Sequence, residues 1–291
     1  MADYKLPPEA DTSVKSGYLL EKFRLFHLCD SEPKEYTYHY HDFHKIIWFI
    51  SGNVEYHIEG KNYKLEPHDI LLINKGEIHK PFVDSSTKYE RYVFYISDEF
   101  LEEHSEEGSS LKGCFYLAHK EQGNVIRLSP SDSSVLFETV KLLEHTQNDS
   151  AYASDMYSRI LFLKLLIELN RSCINHSEVF HKTARYDKKV VEMIHYINDN
   201  LSGNLSIESL SERFYLSKYH MMRKFKEETG YSMHQYILEK RILKARNLIL
   251  TGVPATTASL ECGFKDYSTF GRAYKKLLNQ LPSAMLSSKN T

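Results

Sequence analysis

The 291-residue chain is 42% hydrophobic and 26% charged, with a formal net charge of −2 and four cysteines, which leaves room for about two domains with real cores. No apolar run approaches the roughly 20 residues needed to cross a bilayer, and the polar, Pro-containing stretch Met1 to Gly17 has no apolar signal segment. Cys29, Cys114, Cys173 and Cys262 are scattered without CxxC or zinc-ligand spacing, so a reduced, cytoplasmic protein with no membrane association is expected.

The charge is unevenly divided. Arg185 to Thr291 carries a net +7 and the remainder −9, so only the C-terminal part is expected to meet a polyanion. In chain order, residues 18 to 97 read as short strands. Aromatic and branched residues fill Ile46 to Ile50, Val54 to Ile58, Ile70 to Ile73 and Tyr92 to Ile96. Turn signals at Ser51-Gly52-Asn53, Glu59-Gly60-Lys61 and Lys75-Gly76 separate them, as in a barrel or sandwich. Residues 105 to 124 read as a loop with a short strand near Phe115 to Leu117. Two helices follow, Ser131 to Thr146 and Tyr152 to Arg171. The second has apolar residues on more than one stripe, so it is expected to be buried on two sides, against its own barrel or also against a second subunit. The polar stretch Asn175 to Arg185 reads as a linker.

The last hundred residues carry one pattern twice, at an offset of 49. Ser217 matches Asp266, Met221 matches Phe270, Arg223 matches Arg272, Phe225 matches Tyr274 and Lys226 matches Lys275. Each pair is a helix cap, a core position or a cation. In the first copy Ser206 caps a helix with inner face Ile207, Leu210 and Phe214, the chain turns after Tyr215 and Leu216, and Ser217 caps a second helix that stops at Gly230. Met221 and Phe225 face inward; Lys218, Tyr219, Met222, Arg223 and Lys226 lie opposite. In the second copy Ser259 takes the close-crossing position, Gly263 makes the turn and Asp266 caps. Phe270 and Tyr274 face inward, leaving Tyr267, Ser268 and Arg272 outside, with Lys275 and Lys276 suited to phosphates. Arginine can pair bidentately with guanine, and tyrosine or methionine can touch thymine methyls. Met233 to Leu250 is predicted as one helix with apolar face Tyr236, Ile237, Ala245, Leu248 and Ile249, a spacer able to hold two reading heads roughly 34 Å apart, one turn of DNA.

These residues resemble the AraC/XylS family of transcription regulators over 188 to 286, through Leu210-Ser-Glu-Arg-Phe, Leu216-Ser-Lys, Arg223-Lys-Phe-Lys-Glu-Glu-Thr-Gly230, Tyr236, Arg241, Ala245 and Gly263-Phe264 through Phe270. The resemblance implies two helix-turn-helix subdomains on one long helix, each placing a helix in the major groove, with Tyr219, Met222, Arg223, Tyr267, Ser268 and Arg272 facing bases. The chain departs from the family pattern at Asn279, where glycine is usual, at Met285-Leu286, where Tyr-Arg is usual, and at Ala258-Ser259, where Ile-Ala is usual. These changes are expected to weaken packing or capping in the second subdomain.

His39-Tyr-His41 followed by Gly76-Glu-Ile-His79 resembles a cupin barrel, the sensor of many members of that family. In metal-binding cupins an HxH pair, a glutamate and a distant histidine converge on one ion. Lys45 stands in the glutamate's place, with His44 beside it and Asp42 out of register, so neither metal nor cofactor is expected. The pocket reads instead as a binding site in which His39, His41, Lys45, Trp48 and His79 hold a small polar ligand such as a sugar. The fold class expected is α+β with two domains. Residues 1–174 form a cupin-like β-barrel with two following helices, which senses ligand and dimerises; 175–185 form a linker; and 186–291 form an all-α double helix-turn-helix. The expected partners are double-stranded DNA at promoter sites, the small polar ligand, a second copy of the chain and RNA polymerase. Two rivals stay open: a metal-dependent cupin enzyme with an accessory DNA-binding module, and a constitutive regulator whose barrel only dimerises.

Overall fold

Aromatic and β-branched residues dominate the N-terminal strands, and such side chains suit a pleated sheet covered on both faces. The computed structural model describes residues 16–17, 22–32, 36–84, 86–147, 150–181 and 185–283. Most of the N-terminal arm and the Met285-Leu286 departure lie outside the described residues. The chain divides into two compact units, Met1–Arg185 and Tyr186–Thr291.

The first unit contains strands β1 (Ser16–Gly17), β2 (Phe23–Asp30), β3 (Tyr40–His41), β4 (His44–Ser51), β5 (Val54–Ile58), β6 (Lys61–Lys64), β7 (Ile70–Ile73), β8 (His79–Val83) and β9 (Tyr89–Ile96). Helices α1 (Asp98–Glu103) and α2 (Gly113–Lys120), strand β10 (Val125–Ile126), helices α3 (Pro130–Gln147) and α4 (Ser154–Asn175), and strand β11 (Phe180–His181) follow. One sheet runs β11-β10-β7-β4-β9-β2, and a second, of four strands, includes the neighbours β6-β5-β8. Strand β4 fixes the layering because side chains alternate along a strand. Its Ile47 and Phe49 join Val54, Tyr56, Tyr63, Val93 and Tyr95 in the core between the sheets. Ile46 and Trp48 point the other way, into a core with Phe94, Phe115, Leu136, Val140, Phe162 and Leu166, under the helices.

Three expectations are corrected here. The segment read as a loop with a strand near Phe115 to Leu117 is helix α2. It is helical because Cys114, Phe115 and Ala118 fall on one helical face and are buried. The segment read as a linker holds strand β11, which pairs with β10 and buries Phe180, so backbone pairing overrides its polar composition. Trp48, read as lining the ligand pocket, is 1% exposed in the core beneath the helices. It sits on the face of β4 opposite Lys45, packs on Phe137 at 5.5 Å between ring centroids, and donates Nε1–H to His68 Nδ1 at 3.4 Å.

Helices α2 and α4 are joined by one amide. Asn170 Oδ1 accepts from the Cys114 backbone N–H at 2.7 Å, while its Nδ2 donates to the Leu166 and Leu111 carbonyls at 2.8 and 3.2 Å. Gly113 leaves the space this needs, since a Cβ there would stand 2.7 Å from Asn170 Oδ1. Asn170→Ala therefore strands buried backbone groups and is expected to cost about 2–4 kcal/mol, read as a lower denaturant midpoint for the N-terminal unit.

The second unit is helical: α5 (Lys188–Asp199), α6 (Ile207–Phe214), α7 (Lys218–Thr229), α8 (Met233–Leu250), α9 (Ala255–Glu261) and α10 (Tyr267–Leu278). Ser206, Ser217, Ser232 and Asp266 each cap a helix by accepting from a backbone N–H three residues on, the role short polar side chains fill at a helix start. Gly230 ends α7 at φ 73°, the left-handed conformation expected of a glycine stop.

Candidate functional site

Helix α7 buries Met221 and Phe225 and α10 buries Phe270, Tyr274 and Leu278, so their opposite faces are fixed by packing. On α7, Lys218, Tyr219, Arg223 and Lys226 are exposed and Met222 is half-buried. Tyr219 is 74% exposed, and the Arg223 guanidinium lies 6.0 Å from its ring centroid and 3.8 Å from Glu227. Lys218 pairs with Glu208. On α10, Tyr267, Ser268, Arg272, Lys275 and Lys276 are all exposed. Arg272 Nε reaches the Ser268 carbonyl at 3.4 Å.

The two copies differ at the turn. Tyr215 takes the left-handed conformation at φ 53° and Gly263 takes it at φ 80°. In each copy the next amide returns to the small residue of the first helix: Leu216 N–H to Ser211 O at 3.1 Å, and Phe264 N–H to Ser259 O at 3.0 Å. Leu216 alone then precedes the cap Ser217, whereas Phe264 and Lys265 precede Asp266. The second turn is one residue longer, so an offset of 49 aligns the reading helices and an offset one shorter aligns the helices before them. Ala258 and Ser259 are buried, with the Ser259 hydroxyl donating to Thr256 O at 2.7 Å. Helix α9 starts at Pro254 without a side-chain cap, and Asn279 ends α10 at φ 53°, a conformation asparagine tolerates better than most residues.

Arg241 of α8 joins the two copies. Its Nε donates to Leu201 O at 2.8 Å, its Nη2 to Gly203 O at 2.8 Å and its Nη1 to Gly263 O at 3.0 Å. The first two carbonyls belong to the loop leading into α6, and the third to the second turn. Burial lowers the Arg241 pKa, yet a guanidinium stays charged in a protein. The sequence marked Arg241 only as a family match, because its partners are backbone atoms about 40 residues upstream and 22 downstream.

In the barrel the structure gathers His39, His41 and His79, with ligand nitrogens all within 4.8 Å of one another. Antiparallel bonds between His39 and His79 backbones, 3.1 and 2.9 Å, set this approach. The turn before His79 is held by Glu77, which accepts from Asn74 N–H at 2.8 Å and from Asn124 Nδ2 at 3.1 Å. Neither Glu77 nor Asn124 was legible as part of the site, because both act through backbone carbonyls and turns. Lys45 is 1% exposed, on the inner face of β4, with Nζ 5.7 Å from the Tyr95 ring centroid, a cation–π distance. Burial, then the Lys45 and His39 charges, hold the His41 pKa well below its ordinary value. Burial, then His39 and Lys45, do the same for His79. His39 is partly exposed, whereas His41 and His79 are buried.

A sensor-type barrel and a pair of capped reading helices define a DNA-binding transcription regulator with a ligand-binding domain. Residues 29–154 match the AraC-like ligand binding domain and residues 210–288 match a helix-turn-helix domain. The chain belongs to the AraC/XylS family. It is 23% identical over 249 residues to the HTH-type transcriptional activator RhaS of Salmonella paratyphi A, covering 84% of this chain and 85% of RhaS. It is 22% identical to RhaS of Citrobacter koseri over the same shares of both chains. Among solved structures, ToxT from Vibrio cholerae aligns over 91% of this chain and 98% of its own, with 17% identity and a TM-score of 0.35.

Gly263→Ala and Arg241→Met test the joint between the copies. A Cβ at Gly263 would stand 2.6 Å from Leu201 O and 2.8 Å from Arg241 Nη2. Each change is expected to cost roughly 2–4 kcal/mol in denaturant unfolding of the C-terminal unit. The double variant should lose less than the sum of the two, because both act on one set of contacts.

Proposed function

We propose that the chain is a ligand-responsive regulator that reads two adjacent major-groove sites, binds a small polar ligand in its barrel and acts as a homodimer at promoters. The observation that carries the DNA reading is the exposed face of each second helix, opposite a side pinned by Met221 and Phe225 or by Phe270 and Tyr274. Tyr219, Met222 and Arg223, then Tyr267, Ser268 and Arg272, are the base-facing set. Lys218, Lys226, Lys275 and Lys276 are the phosphate set. Activation, with RNA polymerase contacted from promoter-bound protein, is the sign of regulation proposed here, in line with the activator RhaS.

For the barrel, His39, His41, Lys45 and His79 are the proposed ligand contacts, and a sugar is the proposed ligand class. Polar donors and acceptors within an aromatic wall suit a polyhydroxylated molecule. For the dimer, helix α4 carries exposed Met156, Ile160, Ile167 and Ile174 with half-buried Leu163, at steps of four, three, four and seven residues. That spacing is the seam of a two-helix coiled coil, and its occupant is the same row on a second copy. Val135 and Leu142 of α3 are likewise exposed.

Binding sites selected from random duplex DNA supply the probe. Arg223→Ala is expected to lose roughly 1–3 kcal/mol on the selected site and to relax preference at one base position. Lys275→Ala should weaken selected and random DNA alike and lower the salt slope by about one unit. Equal losses on both DNAs for the arginine variant would remove it from the base-reading set. Ile167→Asp should convert a dimer to a monomer in sedimentation, with each unit still folded. In thermal-shift screening a sugar is expected to raise the Tm of the parent chain and not that of Lys45→Met; a screen without hits would favour a barrel that only dimerises.

A further inference from the structure

We propose that the cleft between the two helix-turn-helix units binds a small carboxylate with an apolar body, and that the bound anion weakens DNA binding. The site lies outside the barrel, and its effect on DNA rests on the reading of α7 and α10 as the DNA-facing helices.

The cleft, of about 810 Å³, is walled by the loop before α6, one face of α8 and the turn before α10. That size suits a small-molecule ligand. Positions 234, 238 and 241 fall four and three apart, so α8 lines up His234, Leu238 and Arg241 along one wall. The segment leading into α10 adds Leu260, Phe264 and Lys265. Basic and apolar side chains are thus set side by side, and no aspartate or glutamate lines the cleft. Outside it, His234 acts on Glu208, which is already paired with Lys218, and Glu261 is exposed.

Arg241 says why the ligand is an anion. Its hydrogen bonds go to the carbonyls of Leu201, Gly203 and Gly263, which hold the guanidinium in place without cancelling its charge. They engage three of its five N–H groups, so two remain to donate. A half-buried cation met only by carbonyls favours an anion beside it. Lys265 is exposed one residue before the cap of α10, and His234 is exposed in the first turn of α8. The leucines say why the anion has an apolar body. Leu238 and Leu260 are 40% and 64% exposed, beside buried Phe264. A bare phosphate would leave that surface wet, whereas a hydrocarbon frame takes it out of water. A negative charge held beside Lys265 opposes the approach of DNA phosphates to the start of α10. Anion and DNA are then linked, each weakening the other by the same factor.

The test uses the full chain, titrated calorimetrically without DNA, and phenylbutyrate as the probe. Phenylbutanol is the uncharged arm and inorganic phosphate the arm without an apolar body. One phenylbutyrate per chain is expected, with the alcohol and phosphate each at least about tenfold weaker. Leu238→Glu should lose at least about tenfold by setting a like charge in the cleft. Lys265→Gln should lose about threefold, and Lys189→Gln, exposed on α5, should change nothing. If circular dichroism shows Leu238→Glu misfolded, Lys265→Gln and the two control arms decide the matter. No stoichiometric binding, or phosphate bound as tightly as the probe, overturns the inference. So does affinity unmoved in folded Leu238→Glu and lost in Lys45→Met, which places the probe in the barrel. Saturating probe should weaken selected-site DNA binding about tenfold in the parent chain and not in Leu238→Glu; DNA affinity unchanged with the cleft occupied overturns the linkage. DNA recognised with no probe bound sinks the site and leaves the regulator, whereas probe bound in the cleft with no DNA recognised sinks the regulator and leaves the site.

Discussion

The two helix-turn-helix units lie on one long helix, and the Arg241 guanidinium of that helix is hydrogen-bonded to both of them. It donates to carbonyls of the loop before α6 and of the turn before α10 while anchored in α8. A planar fork with five N–H groups can serve three carbonyls at fixed angles, which a lysine ammonium does less well. Gly263 is part of the same joint. Its positive φ and missing Cβ admit both the turn and the approach of Arg241. A helix is stiff along its axis, so these contacts tie both units to the same point of α8.

The barrel obeys a different constraint, the alternation of side chains along a strand covered on both sides. In β4 the inner register carries Lys45, Ile47 and Phe49, while the outer one carries Ile46 and Trp48 into the helical layer. Hydrophobic burial fills most inner positions, so the few polar side chains there stand out by their cost. Both nitrogens of His41 and Nε2 of His79 are buried without hydrogen-bond partners among the described residues. Sequence alternation alone places Trp48 opposite Lys45, but assigning either to the ligand side requires knowing which face the helices cover.

Much of the C-terminal unit was legible because its signals are local. Serine and aspartate caps, a glycine stop and apolar residues three and four apart act within one or two turns, and the structure has Ser206, Ser217, Asp266 and Gly230 in those roles. Less legible was the face of α8. The apolar pattern picks out Tyr236, Ile237, Ala245 and Ile249, which are buried, but Leu248 is only half-buried. The same helix buries Glu239 and Arg246. Glu239 accepts from Gln235 Nε2 at 3.1 Å, one turn earlier on the same helix, a polar pairing that apolar periodicity does not encode. The extra residue in the second turn is similar: it is visible as a change of offset only once the left-handed residues Tyr215 and Gly263 are aligned.

By itself the sequence determined the two-part architecture, the repeated reading unit and its outward-facing side chains, since each follows from short-range backbone preferences and helical periodicity. It also supplied the histidines, as letters near strands. Tertiary structure alone decided that 113–120 is a helix and that Phe180–His181 completes a sheet. It alone also turned Trp48 away from the pocket and brought three imidazoles from two distant segments within 4.8 Å of one another. Those outcomes depend on which surfaces are covered and which strands pair, and both are settled by contacts between residues far apart in the chain.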